Sequence, residues 1–484
     1  MVTRFPDQPG FTGFDAPMRV EADLMDVEVS QGAIPENLEG TYYRVVADFQ
    51  WPPKVDGDFF FNGDGMVMSF RFSGGHADFK SRYVRTPRFV AQAKERRALF
   101  GAYRNPYTDD PSVAGMSRGL ANTNVFWHGG KLLSSKEDSP PMMIDPDTLE
   151  TIGEHTFDGA LTSQTSTAHP KIDPRTGEMV FFGFAAKGET TPDIAYYEAD
   201  SRGVVIHETW LRAPYSSMVH DFAVTQNFVV FPIIPLTSDL ERLKAGGPHY
   251  AWDPHKDVYL GVLPRKGNGA DIRWYRGSNR FASHIMGAHD DGRHIFIDTP
   301  VSESNFFPFF PDLSGAGYEA EKAKGYLSRW TIDTMGESNG FTETKIARYP
   351  GEFPRMDDRR ETLPYNWGVL ALSDVPEQES PGRGFRWISS IDLNTGHSQI
   401  YYPGHDCSVA EPLFVPAHDN AEEREGYVFV VIGRHEEMRS DLVILDAAHL
   451  DAPPVATLKM PLRIRSGLHG NWVSATELAR ERTA

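Results

Sequence analysis

Four histidines of this 484-residue chain differ from the others in their surroundings. They stand in the segments TSTAHPK, SSMVHDFAVT, RFASHIMGAH and RSGLHGNWV, as His169, His220, His284 and His469. Each has small or apolar neighbours on at least one side, which favours burial over exposure to solvent. Neutral imidazoles are common ligands of first-row transition metals. The four side chains are therefore candidate ligands of one metal ion.

The wide spacing of these histidines indicates a catalytic metal rather than a structural one. Structural zinc sites usually contain cysteine ligands in closely spaced local loops, and this chain has a single cysteine, Cys407. Histidines that come from distant strands fit an ion with positions left open for a substrate or for oxygen. Two other interpretations stay open here: a zinc hydrolase that uses the same histidines, and a non-enzymatic propeller that binds protein partners.

Strands of many short β-hairpins must position these histidines. Asp, Asn and Gly form turns between β-rich runs in MIDPDTLETIGEHTF, KIDPRTGEMVFFGF, YEADSRGVVIHETW, SSIDLNTGHSQIYYP and VILDAAHLDAPPVATLKM, as expected of hairpins. The hairpins are spread over most of the chain, with long loops between them. Radial repetition hides the edges of so many strands, so the pattern favours an all-β propeller over a sandwich. Distant histidines would then meet at the propeller axis.

Helical signals are few. The segment RFVAQAKERRALFGAY (88–103) predicts a short helix, and SDLERLKAG (238–246) predicts a second one with a Ser-Asp cap. Neither resembles a helix that inserts into a bilayer, because both carry many charges. The chain shows no linker and no low-complexity segment. We therefore predict one domain over residues 1–484.

Composition excludes several classes of partner. The formal net charge of −19 argues against nucleic acid and anionic membranes, because both bind basic surfaces. A chain with one cysteine has no disulfide of its own. The N-terminal segment MVTRFPDQPG lacks the apolar run of a secretory signal, and no run has the length of a transmembrane helix. We expect a cytoplasmic protein without stable membrane insertion; the oligomeric state stays open.

A set of further motifs carries a resemblance to a known family. In order along the chain they are FFNGDGMVMSFRF (60–72), LFGAYRNPYTDDPSV (99–113), ANTNV (121–125), KEDSP (136–140), TAHPK, MVHDFAVT, EFPRMD (352–357), EPLFVP (411–416) and SGLHGNW. With these motifs the chain resembles the carotenoid cleavage oxygenases over nearly its whole length. The resemblance is to the bacterial and fungal branch that acts on lignostilbenes, resveratrol-type stilbenes and isoeugenol.

The resemblance implies a seven-bladed β-propeller in which long loops and a few short helices form a dome over an axial metal site. It implies Fe(II) held by His169, His220, His284 and His469, with O₂ as co-substrate. Outer carboxylates that accept hydrogen bonds from ligand imidazoles fix the rings and raise their basicity. The residues implied for this role are Glu137, Glu352 and Glu411. Thr123 matches a threonine whose methyl group obstructs a position near the iron.

The resemblance also implies a small aromatic alkene as substrate. Tyr103 and Lys136 match residues that contact the 4-hydroxyl of the substrate, although Tyr103 could be a core ring and Lys136 could pair with Glu137 and Asp138. A 4-oxygen held by this pair pushes electron density onto the alkene, where an electrophilic oxygen species attacks. Aromatic residues predicted to flank the substrate rings are Phe59, Phe60 and Phe307.

Two reactions fit this set. We expect cleavage of the central C=C bond of 4-hydroxystilbenes such as resveratrol, piceatannol or lignostilbene into two aromatic aldehydes. The alternative is cleavage of the side-chain alkene of 4-hydroxyphenylpropenoids such as isoeugenol or 4-vinylguaiacol to vanillin-type aldehydes. One departure from the family pattern follows the third ligand, where Gly287 and His289 replace part of an Asn-Ala-aromatic-Glu segment. We interpret His289 as a loop residue rather than a ligand.

Overall fold

The computed structural model describes residues 4–378 and 384–480 and consists largely of antiparallel strands. The first eleven strands are β1 (Ala22–Leu24), β2 (Val29–Gly32), β3 (Gly40–Asp48), β4 (Asp64–Ser73), β5 (His76–Tyr83), β6 (Asn124–His128), β7 (Lys131–Ser135), β8 (Met142–Ile144), β9 (Thr151–Glu154), β10 (Lys171–Ile172) and β11 (Met179–Phe184). The next eleven are β12 (Asp193–Ala199), β13 (Val205–Arg212), β14 (Ala223–Val224), β15 (Phe228–Ile233), β16 (Leu236–Ser238), β17 (Tyr250–Trp252), β18 (Val258–Pro264), β19 (Arg273–Gly277), β20 (Gly287–Asp290), β21 (His294–Val301) and β22 (Tyr326–Asp333). The last ten are β23 (Thr342–Arg355), β24 (Trp367–Leu372), β25 (Trp387–Asp392), β26 (Ser398–Tyr401), β27 (Cys407–Val409), β28 (Leu413–Pro416), β29 (Gly426–Arg434), β30 (Arg439–Asp446), β31 (Ala456–Lys459) and β32 (Gly470–Ser474).

Apart from β16 and β17, which pair with each other in a separate two-stranded sheet, these strands form seven blades. Blade 1 has the order β1-β5-β4-β3-β32, blade 2 is β6-β7-β8-β9, blade 3 is β10-β11-β12-β13, and blade 4 is β14-β15-β18-β19. Blade 5 is β20-β21-β22-β23, blade 6 is β23-β24-β25-β26, and blade 7 joins β27 and β28 to β29, β30, β31 and β2. The long strand β23 serves two blades: residues 342–350 pair with β22, and residues 351–355 pair with β24. The structure therefore confirms the predicted all-β propeller.

The two ends of the chain close the ring. Strand β2, near the N-terminus, pairs with β31 of blade 7, and the C-terminal strand β32 pairs with β3 of blade 1. A strand from the N-terminal region thus completes the last blade and the C-terminal strand completes the first blade, so the chain itself joins these two blades. One domain over residues 1–484 stays a prediction; within the described residues, strands from the two terminal regions belong to one ring of blades.

All five predicted hairpins are present, as the strand pairs β8-β9, β10-β11, β12-β13, β25-β26 and β30-β31. Apolar residues of neighbouring blades pack face to face between the sheets. The ring centroids of Phe182 in blade 3 and Phe231 in blade 4 lie 5.5 Å apart, and those of Trp367 in blade 6 and Phe414 in blade 7 lie 5.4 Å apart. The core is therefore a series of contacts between blades.

Helices are short and lie outside the blades. The α-helices of the described residues are α1 (Pro87–Glu95), α2 (Leu240–Lys244) and α3 (Ala475–Arg480), and short 3₁₀ turns cover Pro9–Phe11, Gly13–Asp15, Phe60–Asn62, Pro106–Thr108, Pro111–Val113, Gly269–Asp271 and Asp358–Arg360. Helix α1 begins as predicted but ends well before residue 103, because Arg96 adopts a left-handed conformation with φ of 53°. Helix α2 carries the expected cap, with the Asp239 side chain accepting from the Arg242 amide at 2.8 Å. Across the described ranges, no helix combines the length and apolar character needed to span a bilayer.

The Gly-Asp-Gly motif has a packing role that connects the fold to the site. A Cβ atom on Gly65 would lie 2.3 Å from the carbonyl oxygen of Ala121 and 2.6 Å from that of Leu120. The amide of Gly65 donates to the Leu120 carbonyl at 3.1 Å. Strand β4 is thus held directly against the segment that leads to Thr123.

We expect Gly65→Ala to lower the free energy of unfolding by about 1–3 kcal/mol, because the added methyl group must displace backbone rather than a flexible side chain. Urea denaturation of the purified protein measures this change. Gly317→Ala is the matched control, since a Cβ atom at Gly317 has no neighbour within 4 Å. Equal stability of the two variants would contradict the close contact at Gly65.

Candidate metal centre and adjoining cavity

The four candidate ligands occupy the same position in four different blades. Each lies within three residues of the start of the strand nearest the axis: His169 before β10, His220 before β14, His284 before β20 and His469 before β32. Inner strands of a propeller converge on its axis, so side chains that precede them meet there. Distance along the sequence therefore becomes proximity in space.

The four imidazoles form one cluster. One ring nitrogen from each lies within 4.8 Å of the corresponding atoms of the others. The Nε2 atoms of His169 and His220 are 3.1 Å apart, and those of His220 and His284 are 2.9 Å apart. His169 and His469 are buried, and His220 and His284 are partly buried. The structure thus brings together the four histidines that the sequence singled out.

Glutamates orient three of these rings. The Nδ1 atom of His284 donates to Glu352 at 2.5 Å, that of His469 donates to Glu411 at 2.8 Å, and that of His220 donates to Glu137. The three glutamates come from blades 2, 6 and 7, which are the blades that contribute no histidine. For His169 the contact found is different: its backbone amide donates to Thr167 Oγ1 at 2.9 Å.

The charges of the histidine–glutamate pairs suit the cluster to bind a cation. Burial raises the pKa of a carboxyl group, but the paired imidazoles outweigh burial and lower the pKa of Glu137, Glu352 and Glu411 to about 2. Ionised glutamates accept the Nδ1 protons, which leaves the Nε2 atoms of His220 and His284, 2.9 Å apart, as the ring nitrogens that can bind a metal. Burial also holds the pKa of His169 well below its usual value. Converging lone pairs with carboxylates behind them are the donor set of a divalent transition metal.

Three further residues complete the outer contacts, and the sequence did not single them out. Ser283 donates to Glu352 at 2.6 Å. Arg355 lies 3.3 Å from Glu411 and donates to the Gly470 carbonyl at 2.9 Å. Phe353 stacks on His284 with ring centroids 5.3 Å apart and holds a φ of 53°. A left-handed phenylalanine is uncommon away from functional sites, but sequence alone does not reveal it.

A cavity of about 200 Å³ adjoins one side of the cluster. Its lining is mostly aromatic and apolar, and includes His220, His284 and His469 at one end. The residues around it are Phe60, Phe61, Tyr103, Thr123, Lys136, Met218, Phe306, Phe307, Pro308, Phe309, Phe353, Phe385 and Leu468, with Glu137, Ser283 and Glu352. The loops between blades supply most of these side chains, as expected of a dome over the axis.

Tyr103 and Lys136 lie together in the wall of this cavity. The Lys136 Nζ atom is 4.7 Å from the centroid of the Tyr103 ring. Both side chains are buried. Burial, with the negative charge of Glu137 as a second cause, raises the pKa of Tyr103 well above its usual value, so its hydroxyl keeps its proton. The pair presents a cation and a neutral hydroxyl to whatever occupies the cavity.

Three of the four other residues predicted to contact the substrate line the cavity, and one does not. Phe60 and Phe307 line the cavity, and so does Thr123, whose hydroxyl donates to Asn122 at 3.1 Å. Phe59 is not among the lining residues: its ring stacks on Phe309 with centroids 4.2 Å apart and lies 5.1 Å from that of Tyr103. Phe59 therefore supports the wall from behind.

The departure after the third ligand is explained by packing. A Cβ atom on Gly287 would lie 2.6 Å from the Met356 sulfur and 2.8 Å from the Tyr365 ring. The interpretation of His289 as a loop residue was wrong, because it belongs to β20 and pairs with Phe296 in β21. Its ring stacks on Phe296 with centroids 5.0 Å apart. His289 is outside the four-histidine cluster.

A second cavity, of about 130 Å³, lies on the other side of the cluster. His169, His284 and His469 line it together with charged side chains, which include Lys171, Asp221, Arg355, Asp358 and Glu361. His284 and His469 border both cavities. The cluster thus separates an aromatic chamber from a polar one.

Comparisons with known proteins agree with this geometry. A family model described as retinal pigment epithelial membrane protein matches residues 15–474. The chain is 44% identical to lignostilbene-alpha,beta-dioxygenase isozyme III of Sphingomonas paucimobilis, over 99% of both chains. It is 44% identical to isoeugenol monooxygenase of Pseudomonas nitroreducens, over 96% of this chain and 98% of the relative. The crystal structure of Pseudomonas brassicacearum lignostilbene dioxygenase superposes with a TM-score of 0.95 at 41% identity and covers 98% of this chain and 100% of that one.

Proposed function

This chain belongs to the carotenoid cleavage oxygenase family of non-heme iron dioxygenases, and we propose that it cleaves the central C=C bond of 4-hydroxystilbenes with O₂ to give two aromatic aldehydes. The observation that carries the proposal is one cavity lined by three unlike sets of groups. Three of the four clustered imidazoles, those of His220, His284 and His469, border it, and Lys136 and Tyr103 lie in its wall with aromatic rings around them. A phenolic alkene needs all three: metal ligands beside its double bond, polar partners for its hydroxyl group and aromatic packing for its ring.

The size of the cavity supports a small substrate. Its volume of about 200 Å³ is below the roughly 300–1,000 Å³ that is typical of sites for drug-sized ligands. A chamber of this size favours an alkene with one or two aromatic rings over a long polyene. Isoeugenol-type phenylpropenoids are the second candidate, because an isoeugenol monooxygenase is as similar to this chain as a lignostilbene dioxygenase is.

We infer that His169, His220, His284 and His469 hold the iron and that Glu137, Glu352 and Glu411 keep three of the rings in place. When bound, Fe(II) supplies the activation of O₂. The aromatic lining excludes water and holds the alkene next to the cluster. Lys136 and Tyr103 bind the 4-oxygen and stabilise negative charge there, which enriches the conjugated alkene for attack by an electrophile. Thr123, whose carbonyl accepts from the His469 amide at 3.1 Å, restricts the space beside that ligand.

Oxygen uptake with product identification tests this function. Protein reconstituted anaerobically with Fe(II) is offered resveratrol and isoeugenol, and the aldehydes are identified by mass spectrometry. We expect one O₂ consumed per resveratrol and, with ¹⁸O₂, label in both aldehydes. Turnover without oxygen consumption would favour the hydrolase interpretation and reject the oxygenase. A higher kcat/KM for isoeugenol would assign the phenylpropenoid reaction instead.

A further inference from the structure

Three consecutive charged residues, Lys136, Glu137 and Asp138, open the segment KEDSP and make two different kinds of contact. Glu137 points to His220, whereas Lys136 and Asp138 pair with each other. The Lys136 Nζ atom lies 3.2 Å from Asp138 Oδ2, and the two side chains are 2% and 7% exposed. The ion pair is therefore buried in the wall of the aromatic cavity.

The hydrogen bonds of Lys136 can be counted. An ammonium group has three N–H donors. One donates to the Phe61 carbonyl at 3.2 Å, and the Asp138 carboxylate, 3.2 Å from Nζ, takes up a second side of the ammonium group as its ion-pair partner. One donor is left, and Lys136 lines the cavity. Phe61 and Asp138 together thus fix the ammonium group so that a single N–H remains for a ligand.

Asp138 lies in a group of buried charges: Lys136 is its ion-pair partner, and Arg88 and Arg104 also interact with its charge. Its Oδ1 atom is buried and has no hydrogen-bond partner among the described residues. A buried ion pair often contributes less to stability than apolar residues of the same volume. Burial lowers the pKa of Lys136, and Asp138 is the first of the charges that oppose this shift. Asp138 therefore opposes the effect of burial and favours the charged form of the lysine.

We propose that Asp138 is the positioning residue of Lys136, and that through this ion pair it makes the cavity selective for a 4-hydroxylated ring over the corresponding 4-methyl ether. The inference rests on the proposed function and names one determinant of its specificity. A phenolic hydroxyl accepts the remaining N–H of Lys136 and also has a proton to donate. An ether oxygen has no proton and carries an added methyl group.

The test compares two substrates on one enzyme preparation. We expect Asp138→Asn to lower kcat/KM for resveratrol about 10-fold, because a charge-assisted hydrogen bond loses its fixed donor. The value for the 4′-methyl ether of resveratrol should change less than about 2-fold, since the ether oxygen has no proton to lose and develops no negative charge for that donor to stabilise. The ratio of the two values does not depend on the concentration of active enzyme, so partial misfolding of the variant cancels. Asp138→Glu retains the carboxylate and should restore most of the ratio.

Two controls keep the outcomes separate. Asp193→Asn breaks a lysine–aspartate pair of 3.0 Å outside the cavity, with Lys187, and should leave the ratio unchanged. In a Lys136→Met background, Asp138→Asn should have no further effect on the ratio. Equal losses for resveratrol and its ether, or an additive effect in that background, would overturn the inference while the proposed function stands. Wild-type protein that consumes no O₂ with either compound would overturn both.

Discussion

Replacing His284 with alanine is expected to remove stoichiometric iron from the protein and to lower alkene cleavage by more than about 100-fold. Loss of an outer hydrogen-bond partner alone typically costs 10-fold to about 100-fold in metal affinity or activity, and this substitution removes a ligand. His284 stands between two of its neighbours in the cluster, with its Nε2 atom 2.9 Å from that of His220. It also borders both cavities.

The substitution has a second consequence, at Glu352. This carboxylate accepts from His284 at 2.5 Å and from Ser283 at 2.6 Å, and it is buried. Without the imidazole, the buried carboxyl group loses the main partner that opposes the effect of burial on its pKa, so its charged form is no longer favoured. Iron binding and local order should therefore be lost together, because the ligand and its support form one unit.

His289→Ala is the matched control, since this histidine lies five positions further along the same blade. Its ring stacks on Phe296 rather than on the cluster. Iron content after anaerobic reconstitution, measured by plasma emission spectroscopy, should stay at one ion per chain in His289→Ala and fall to background in His284→Ala. Full iron content in His284→Ala would reject the four-histidine site, and iron loss in both variants would indicate a general effect on blade 5.

Sequence reasoning found the parts of this molecule that local chemistry determines. The hairpin turns are fixed by Asp, Asn and Gly, whose conformational preferences are local, and all five proposed hairpins exist. The four histidines could be singled out because buried imidazoles with small neighbours are unusual. Their convergence follows once each is placed before an inner strand.

What the sequence did not reveal depends on contacts between distant residues. No local signal shows that β23 belongs to two blades. Nor does one show that β2, near the N-terminus, joins the last blade and the C-terminal strand β32 joins the first. The stacking of Phe353 on His284 requires a left-handed backbone that phenylalanine seldom adopts. Phe59 and Phe60 are neighbours in sequence, yet one supports the cavity wall from behind and the other lines it. Packing, rather than residue type, determines which of the two rings faces the cavity.

Lys136→Met is expected to lower kcat/KM for resveratrol about 100-fold, at the upper end of the range for a lost hydrogen bond to a charged group. Methionine fills the volume of the lysine stem but has no donor for the 4-oxygen. The kcat/KM for the 4′-methyl ether should stay close to the wild-type value, because the ether oxygen bears no charge to stabilise. Steady-state oxygen uptake with both compounds measures the two values, and iron content verifies that the cluster is intact.

The substitution also leaves Asp138 buried without its partner, which costs stability on its own account. The double variant Lys136→Met/Asp138→Asn removes that charge and separates the two effects. If the low kcat/KM for resveratrol reflects the missing donor, it persists in the double variant while thermal stability recovers. If it reflects a distorted cavity wall, activity recovers together with stability, and the assignment of Lys136 to the 4-oxygen is wrong.

Tyr103→Phe tests the second member of the pair. It retains the ring that lies 4.7 Å from the ammonium group and removes only the hydroxyl. The loss of kcat/KM should therefore be smaller than that of Lys136→Met and again confined to the hydroxylated substrate.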